Sequence, residues 1–338
     1  MLYSRMRSKK TIESNTMQER EYLESTFDTY VAMVKNATDW TLFCPYQLQK
    51  KSFAGVNKVL ELPSMQITHT YMDGGIMYDY VPPKNAVVFS VMQEISNKAC
   101  LDQMKLQTDM ISVVNDKKIY NFMHNGCINI IDVSLKENAD TLLLKKLKEA
   151  VDHYYIDEEQ RMGHLLQNII DVFADRKIIE EHISIKIEKL VTEAMLHLIA
   201  EQEISTPRFT KSEKIVLNIK KQLFTHMDGK ISISSLAKKY NISEKSLQNA
   251  FRSLYDITPV QFIRLLKLNH VHHELVQNRS VSTSVSRVAQ KWGFSHMGKF
   301  SKHYTELFGE NPSVTLKKIN PEIKEMSEKC VQRQEEMM

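Results

Sequence analysis

Two stretches of the chain repeat one order of hydroxyl, apolar, small and turn-forming side chains. Ser232-Ile-Ser-Ser-Leu-Ala-Lys-Lys-Tyr-Asn-Ile-Ser243 aligns with Ser284-Val-Ser-Arg-Val-Ala-Gln-Lys-Trp-Gly-Phe-Ser295 at an offset of 52. A serine hydroxyl at the head of a helix accepts one of the backbone N–H groups left over there. Ser232 and Ser284 therefore suit one helix start, and Ser243 and Ser295 the next. Leu236 and Val288 are apolar anchors, while Ala237 and Ala289 let a second helix approach closely. Asn241 and Gly293 sit where the chain must turn sharply, and both residue types tolerate positive φ. The pattern is a helix, a tight turn and a helix, written twice.

The elements around the repeat follow the same logic. The second helices are expected from about Glu244 to Tyr255, burying Leu247, Phe251 and Leu254, and from about His296 to Phe308, burying Phe300, Tyr304 and Leu307. They end in the related turns Asp256-Ile-Thr-Pro259 and Gly309-Glu-Asn-Pro312, where the offset has become 53. Between the copies, Val260–Gln277 lacks Gly and Pro and carries a stripe of Phe262, Ile263, Leu266, Val271 and Leu275. One connecting helix of that length spans roughly 27 Å at 1.5 Å per residue. That is close to the ~34 Å of one duplex turn, so two second helices held by it suit successive major grooves of DNA.

Other chemistry is sparse. His270, His273 and Glu274 share a helix face, which makes a metal site conceivable, but solvated or phosphate-proximal histidines are the simpler reading. Asp157-Glu158-Glu159 reads as a solvated helix start. His69 and His124 stand apart, no phosphate-cradling Gly loop or nucleophile motif occurs, and the four cysteines are scattered. No metal, no cofactor and no enzymatic activity is expected, and the scattered cysteines fit a reducing cytoplasm.

The net charge of +4 over 338 residues conceals a division. Residues 1–206 carry 23 basic and 29 acidic side chains, residues 207–320 carry 19 and 7, and residues 321–338 carry 3 and 5. The basic third is the block that contains the repeat, as a polyanion-binding domain requires. The start has no apolar run after its positive charges, so no secretory signal is expected, and no run is long enough for a membrane span.

The length predicts two domains. In residues 1–204, a helix is expected over 17–40, from the spacing of Leu23, Phe27, Tyr30, Val31 and Val34. A β-rich part follows over 46–135, where short apolar runs alternate with turns. Helical stripes fill 139–202, and they either cover the sheet or include a dimer seam. Residues 205–210 read as a linker, 211–320 as the basic domain and 321–338 as a polar tail. Tyr71, Tyr78, Tyr80 and Phe89 are candidates to line an effector cavity, or else plain core.

The repeat, its connecting helix and the ending Leu307-Phe-Gly-Glu-Asn-Pro312 resemble the AraC/XylS transcription regulators over residues 212–318. The wording SLQNAF and W-G-F-S-H-M-G-K-F-S is most similar to the branch containing ethanolamine-operon regulators. The resemblance implies an α+β chain of two domains. The N-terminal one is a β-rich, cupin-like or variant sensor domain with flanking helices. The C-terminal one is all-α, with two helix-turn-helix motifs. It also implies a sequence-specific DNA-binding regulator, more often an activator, that contacts RNA polymerase and forms a homodimer. The N-terminal domain would answer either a small-molecule effector or a partner protein.

By the same resemblance, the exposed faces of the second helices read bases. Those positions are Lys245, Gln248 and Asn249 in the first motif, and Met297, Gly298, Lys299, Ser301 and Lys302 in the second. Gln and Asn can pair two-point with adenine, and Lys donates to guanine. Asn249 and Lys302 stand where many family members have Arg, and Gly298 brings no side chain, so shape readout gains weight there. Ser243, Arg252, Lys291, Ser295 and His303 are the expected phosphate contacts.

Overall fold

The structure is a computed structural model. It describes residues 22–317 except 29, 38, 50–52, 103, 175–178, 203–204, 206–208, 226–230 and 278–283. The start of the expected 17–40 helix and the tail 321–338 lie outside the described residues.

The N-terminal half is built from β1 (Tyr22–Phe27), α1 (Tyr30–Asn36), β2 (Thr41–Gln47), β3 (Ala54–Glu61), β4 (Met65–Asp73), β5 (Ile76–Val81), β6 (Val87–Ile95), β7 (Lys98–Leu101), β8 (Met104–Leu106), β9 (Met110–Asn115), β10 (Tyr120–Asn125), β11 (Ile128–Leu135), α2 (Thr141–Glu149), β12 (Tyr154–Ile156), α3 (Arg161–Phe173) and α4 (Glu181–Glu201). A seven-stranded sheet runs β1-β3-β4-β11-β6-β9-β12 and a five-stranded sheet runs β2-β5-β10-β7-β8. Neighbours in both pair antiparallel.

The central strands of both sheets are buried on both faces over most of their length, so they read as apolar runs with alternating destinations. In β6, Val87, Phe89 and Val91 join Leu143, Leu166 and Val191 of α2–α4, whereas Val88 and Met92 face the other sheet. In β10, Phe122 faces inward and Met123 faces the C-terminal domain. The molecule is thus four layers: helices α2–α4, seven strands, five strands, C-terminal helices.

Three expectations need correcting. The helix expected over 17–40 gives way to β1, paired with β3 from Tyr22↔Leu60 to Phe27↔Gly55, and among the described residues of that span only Tyr30–Asn36 is helical. The apolar spacing fitted a helix, but a vacant sheet edge captures the segment, because strand pairing overrides weak local preference. The helical block 139–202 is interrupted by β12, which extends the sheet beyond β9. The solvated acidic helix start is solvated only in part. Asp157 is buried and its two carboxylate oxygens accept the N–H groups of Met162 and Gly163, both at 2.8 Å, at the head of α3. Burial raises its pKa, and those two bonds oppose the rise.

The apolar stripe of α4 is spent mostly inside. Ile187, Val191, Met195 and Ile199 of α4 are buried against α2 and α3, while Ile185 and Leu190 remain exposed. In the expected linker, Ser205 exchanges both backbone bonds with Tyr154, at 3.0 and 3.1 Å, tying that point to the edge of the seven-stranded sheet.

Candidate nucleic-acid interface and effector cavity

The C-terminal half comprises α5 (Lys211–Thr225), α6 (Ile233–Lys239), α7 (Glu244–Tyr255), α8 (Pro259–Gln277), α9 (Val285–Lys291), α10 (Met297–Phe308) and α11 (Pro312–Lys317). Ser232, Ser243 and Ser284 accept the backbone N–H three residues on, as their positions require. Asn241 and Gly293 turn the chain at φ 49° and 81°, and Asp256 and Gly309 end α7 and α10 at φ 56° and 73°. Ser295 departs from the pattern. His296 is the cap residue of α10 and makes no side-chain cap bond. The extra residue that changes the offset from 52 to 53 moves the start of α10 past Ser295.

The repeat reaches further than the motif. Lys239 and Tyr240 both bond Oε1 of Gln222 on α5, and Lys291 and Trp292 both bond Oε2 of Glu274 on α8. Gln222 and Glu274 are themselves 52 residues apart. Helices α5 and α8 therefore serve the same purpose, each bracing the first helix of the motif that follows. The equivalence lay in one polar residue on each helix, which apolar periodicity does not reveal.

Lys245, Gln248, Asn249 and Arg252 are all exposed and fall at i, i+3, i+4 and i+7, on one face of α7. On α10, Gly298, Lys299 and Lys302 are exposed, Ser301 is half-buried, and Met297 packs partly into the core of the second motif. A Cβ at Gly298 would meet nothing within 4 Å, so the front of this helix is open. Lys291 is braced by Glu274 at 2.9 Å, which reduces the charge it can offer a phosphate. His303 lies 3.4 Å from a Glu306 oxygen. Ser243 and Ser295 are exposed.

The histidines of the connecting helix are not solvated. His270, His272 and His273 are buried. His270 stacks on Trp292 with ring centroids 4.3 Å apart, and Tyr46 of β2 packs against both His270 and His273. Burial holds His270 down to about 3 and His273 to about 4, although the ring of His273 also bonds the Pro45 carbonyl. Among the described residues no group of three or more His, Cys, Asp or Glu could hold a metal. Neither is any helix there long and apolar enough to cross a membrane.

A cavity lies between the two sheets, with about 90 Å³ of open space, against ~10–15 Å³ for one water. Tyr78 and Tyr80 line it, together with Trp40, Phe122 and Asp132. Tyr71 and Phe89 do not. Residues 70 and 72 of β4 and residues 90 and 92 of β6 point into the cavity, so the period of two sends Tyr71 and Phe89 the other way. Tyr71 is exposed, and Phe89 is core beneath α2–α4. Asp132 was not legible as a cavity residue, because only the register of β11 shows which face it occupies. A second crevice of about 630 Å³ separates the five-stranded sheet from α5 and is lined by lysines of both domains, among them Lys118 and Lys220, and by aspartates of the N-terminal one, among them Asp79 and Asp102.

The fold of the C-terminal half defines a double helix-turn-helix domain. A helix-turn-helix domain family matches residues 236–318. The chain is 30% identical over 120 residues to the XylDLEGF operon transcriptional activator of Pseudomonas putida, covering 36% of this chain and 37% of that protein. It is 28% identical over 97 residues to the probable thc operon regulatory protein of Rhodococcus erythropolis, covering 29% of each. The chain thus spans about a third of these relatives' length. The crystal structure of the AraC-like transcriptional activator CuxR aligns over 76% of this chain and 96% of that one, at 11% identity and a TM-score of 0.43. Residues 236–318 thus carry a helix-turn-helix domain similar to the corresponding third of these regulators.

Proposed function

We propose that the chain is a sequence-specific DNA-binding transcription regulator, an effector-responsive activator acting as a cytoplasmic homodimer near promoters, in contact with RNA polymerase. One observation carries the reading: two equivalent helices, α7 and α10, stand at the two ends of one connecting helix with polar faces open to solvent. Lys245, Gln248 and Asn249 read base edges in one groove. Lys299, Ser301 and Lys302 read the next, where Gly298 lets the backbone approach and Met297 supports the helix from beneath. Ser243, Ser295, Arg252 and His303 contact phosphates, with Lys291 a weaker contributor.

The alternation of the five-stranded sheet supports a route from effector to DNA. Tyr78, Leu101 and Phe122 line the cavity. Their neighbours Met77, Cys100 and Met123 pack against the C-terminal domain. A ligand that shifts one face of this sheet shifts the other, because adjacent residues share one backbone. The effector thereby biases the placement of the first motif.

Genome-wide mapping of bound DNA, followed by footprinting of one recovered site, tests the reading. The expected result is a shared sequence protected in two major grooves about one turn apart. Bound fragments with no common sequence would overturn it. Light scattering of the full chain tests the dimer: Leu190→Glu on α4 is expected to convert a dimer to a monomer, and a wild-type monomer would sink that part.

A further inference from the structure

Lys220 of α5 is an amine without an ion pair, held between the two domains. Its Nζ donates to Asn121 Oδ1 on β10 at 2.6 Å and lies 5.9 Å from the ring centroid of Tyr255 on α7. Among the described residues it makes no salt bridge. By contrast, Lys105 pairs with Glu213, and Lys118 with Asp102 and Asp152 at 3.1 and 2.8 Å. The groups around Lys220 do little to hold its charge. Asp79 on β5 and Asp102 after β7 each accept a bond from Asn121 at 2.7 Å, and they reach the Lys220 amine only at longer range. The Cys100 thiol, which burial pushes up to about 11, is neutral. So is the buried Tyr255 phenol. Burial therefore lowers the pKa of Lys220, and the two carboxylates oppose the fall only in part. Desolvation of this kind is one way in which a lysine amine becomes a nucleophile.

The amine is also reachable. Lys220 is half-buried and lines the crevice of about 630 Å³ between the five-stranded sheet and α5, a volume within the ~300–1,000 Å³ of small-molecule sites. Lys214, Leu217, Asn218, Lys221 and Phe224 line the same crevice at helical spacing along α5. Lys214 and Lys221 are exposed. The crevice aspartates all belong to the N-terminal wall, where Lys118 and Asn121 engage them. The helix wall thus offers positive charge to an anion beside an amine that can attack.

We propose that Lys220 is a modification site for acyl phosphates. Lys214 and Lys221 hold the phosphate, and the neutral Lys220 amine attacks the acyl carbon. The N–C bond forms as the C–O bond to phosphorus's oxygen breaks, and inorganic phosphate leaves with the proton that the amine sheds. The product is an uncharged amide. Acylation cancels the cation that α5 presents to Asn121 and places an acyl group between α5 and the sheet. Gln222 of α5 also braces Lys239 and Tyr240, so the change loosens the seat of the first motif on the N-terminal domain.

Incubation of the full-length protein with acetyl phosphate at neutral pH, followed by peptide mass spectrometry, tests the site. Lys220 is expected to be acetylated on the order of 10-fold faster than the exposed Lys245 and Lys299. With N-acetoxysuccinimide, a neutral donor that gains nothing from Lys214 and Lys221, this preference is expected to shrink. Acetylation of Lys220 no faster than that of Lys245 and Lys299 would overturn the site. An equal preference with the neutral donor would overturn the acyl-phosphate class. Both results are read on the wild type, so neither depends on how a variant folds. Lys220→Arg keeps the charge and can keep the Asn121 bond, but forms no acetyl-lysine. After equal exposure to acetyl phosphate, the wild type is expected to lose more melting temperature than Lys220→Arg, because labels elsewhere are common to both. Equal losses would overturn the loosening.

Discussion

The side chain of Asn269 pairs with the backbone of Gln47 as another strand would. Its Nδ2 donates to the Gln47 carbonyl at 2.9 Å and its Oδ1 accepts the Gln47 N–H at 2.9 Å. The connecting helix of the DNA-binding domain is thereby fastened to β2 of the N-terminal domain. Gln47 reinforces the join by donating from Nε2 to the Leu307 carbonyl on α10, at 2.8 Å. Asn269→Ala leaves both Gln47 backbone groups unpaired in a buried seam, so urea unfolding is expected to show a loss of about 1–3 kcal/mol. If the join restrains the two motifs, DNA affinity without effector should change too. A variant with wild-type stability would show that the pairing contributes nothing net.

Asn249 stands exposed in the middle of the polar face of α7 and has no structural task of its own in the described contacts. Its removal should therefore cost recognition rather than folding. Asn249→Ala is expected to lower affinity for the mapped site by about 1–3 kcal/mol and to leave affinity for scrambled DNA unchanged. Equal losses on both sequences in a binding titration would mean that the residue contacts the backbone only.

Gly298 separates stability from function. A Cβ there meets no atom within 4 Å, and glycine in a helix is roughly 0.5–1 kcal/mol worse than alanine. Gly298→Ala is thus expected to leave the melting temperature unchanged or raise it. If the backbone of α10 approaches the groove floor, the same change lowers DNA affinity. Tighter binding in the variant would contradict the close-approach argument.

How much of this was legible in the sequence depended on whether the signal was local. The double motif could be read because its caps and turns act within a few residues: Ser243 finds Ser246 N, and Asn241 turns the chain by itself. Ser295 failed because one inserted residue shifts a cap, which spacing alone does not show. The seam between the domains was invisible. His270 and His273 occupy helix positions that look solvated until β2 is laid against them. For Tyr71 and Phe89 residue type leaves cavity wall and plain core both open. Strand register decides between the two faces of a sheet, and it placed Asp132 inside instead.

Acid should loosen this seam in two stages with one sign. His270 and His273 have folded-state values near 3 and 4, below the ordinary 6.5. Below about 6.5 the unfolded chain binds protons that the folded chain refuses, so stability is full above that pH and declines toward about 3. Glu213 of α5 acts lower down. Burial would raise its carboxyl, but bonds from Lys105 of β8, from Ser253 of α7 and from Thr210 prevail and hold it at about 2. Its contribution is present above about 4.5 and is lost as pH falls toward 2. Because Lys105 belongs to the N-terminal domain and Ser253 to α7, Glu213 is a latch between the two. Glu213→Gln is expected to cost about 1–3 kcal/mol at neutral pH. It should also flatten the stability profile below about 4.5 while leaving the decline that begins near 6.5 intact. Melting curves taken from pH 7 to pH 3 would show this, and a variant whose profile parallels the wild type throughout would remove Glu213 from the latch.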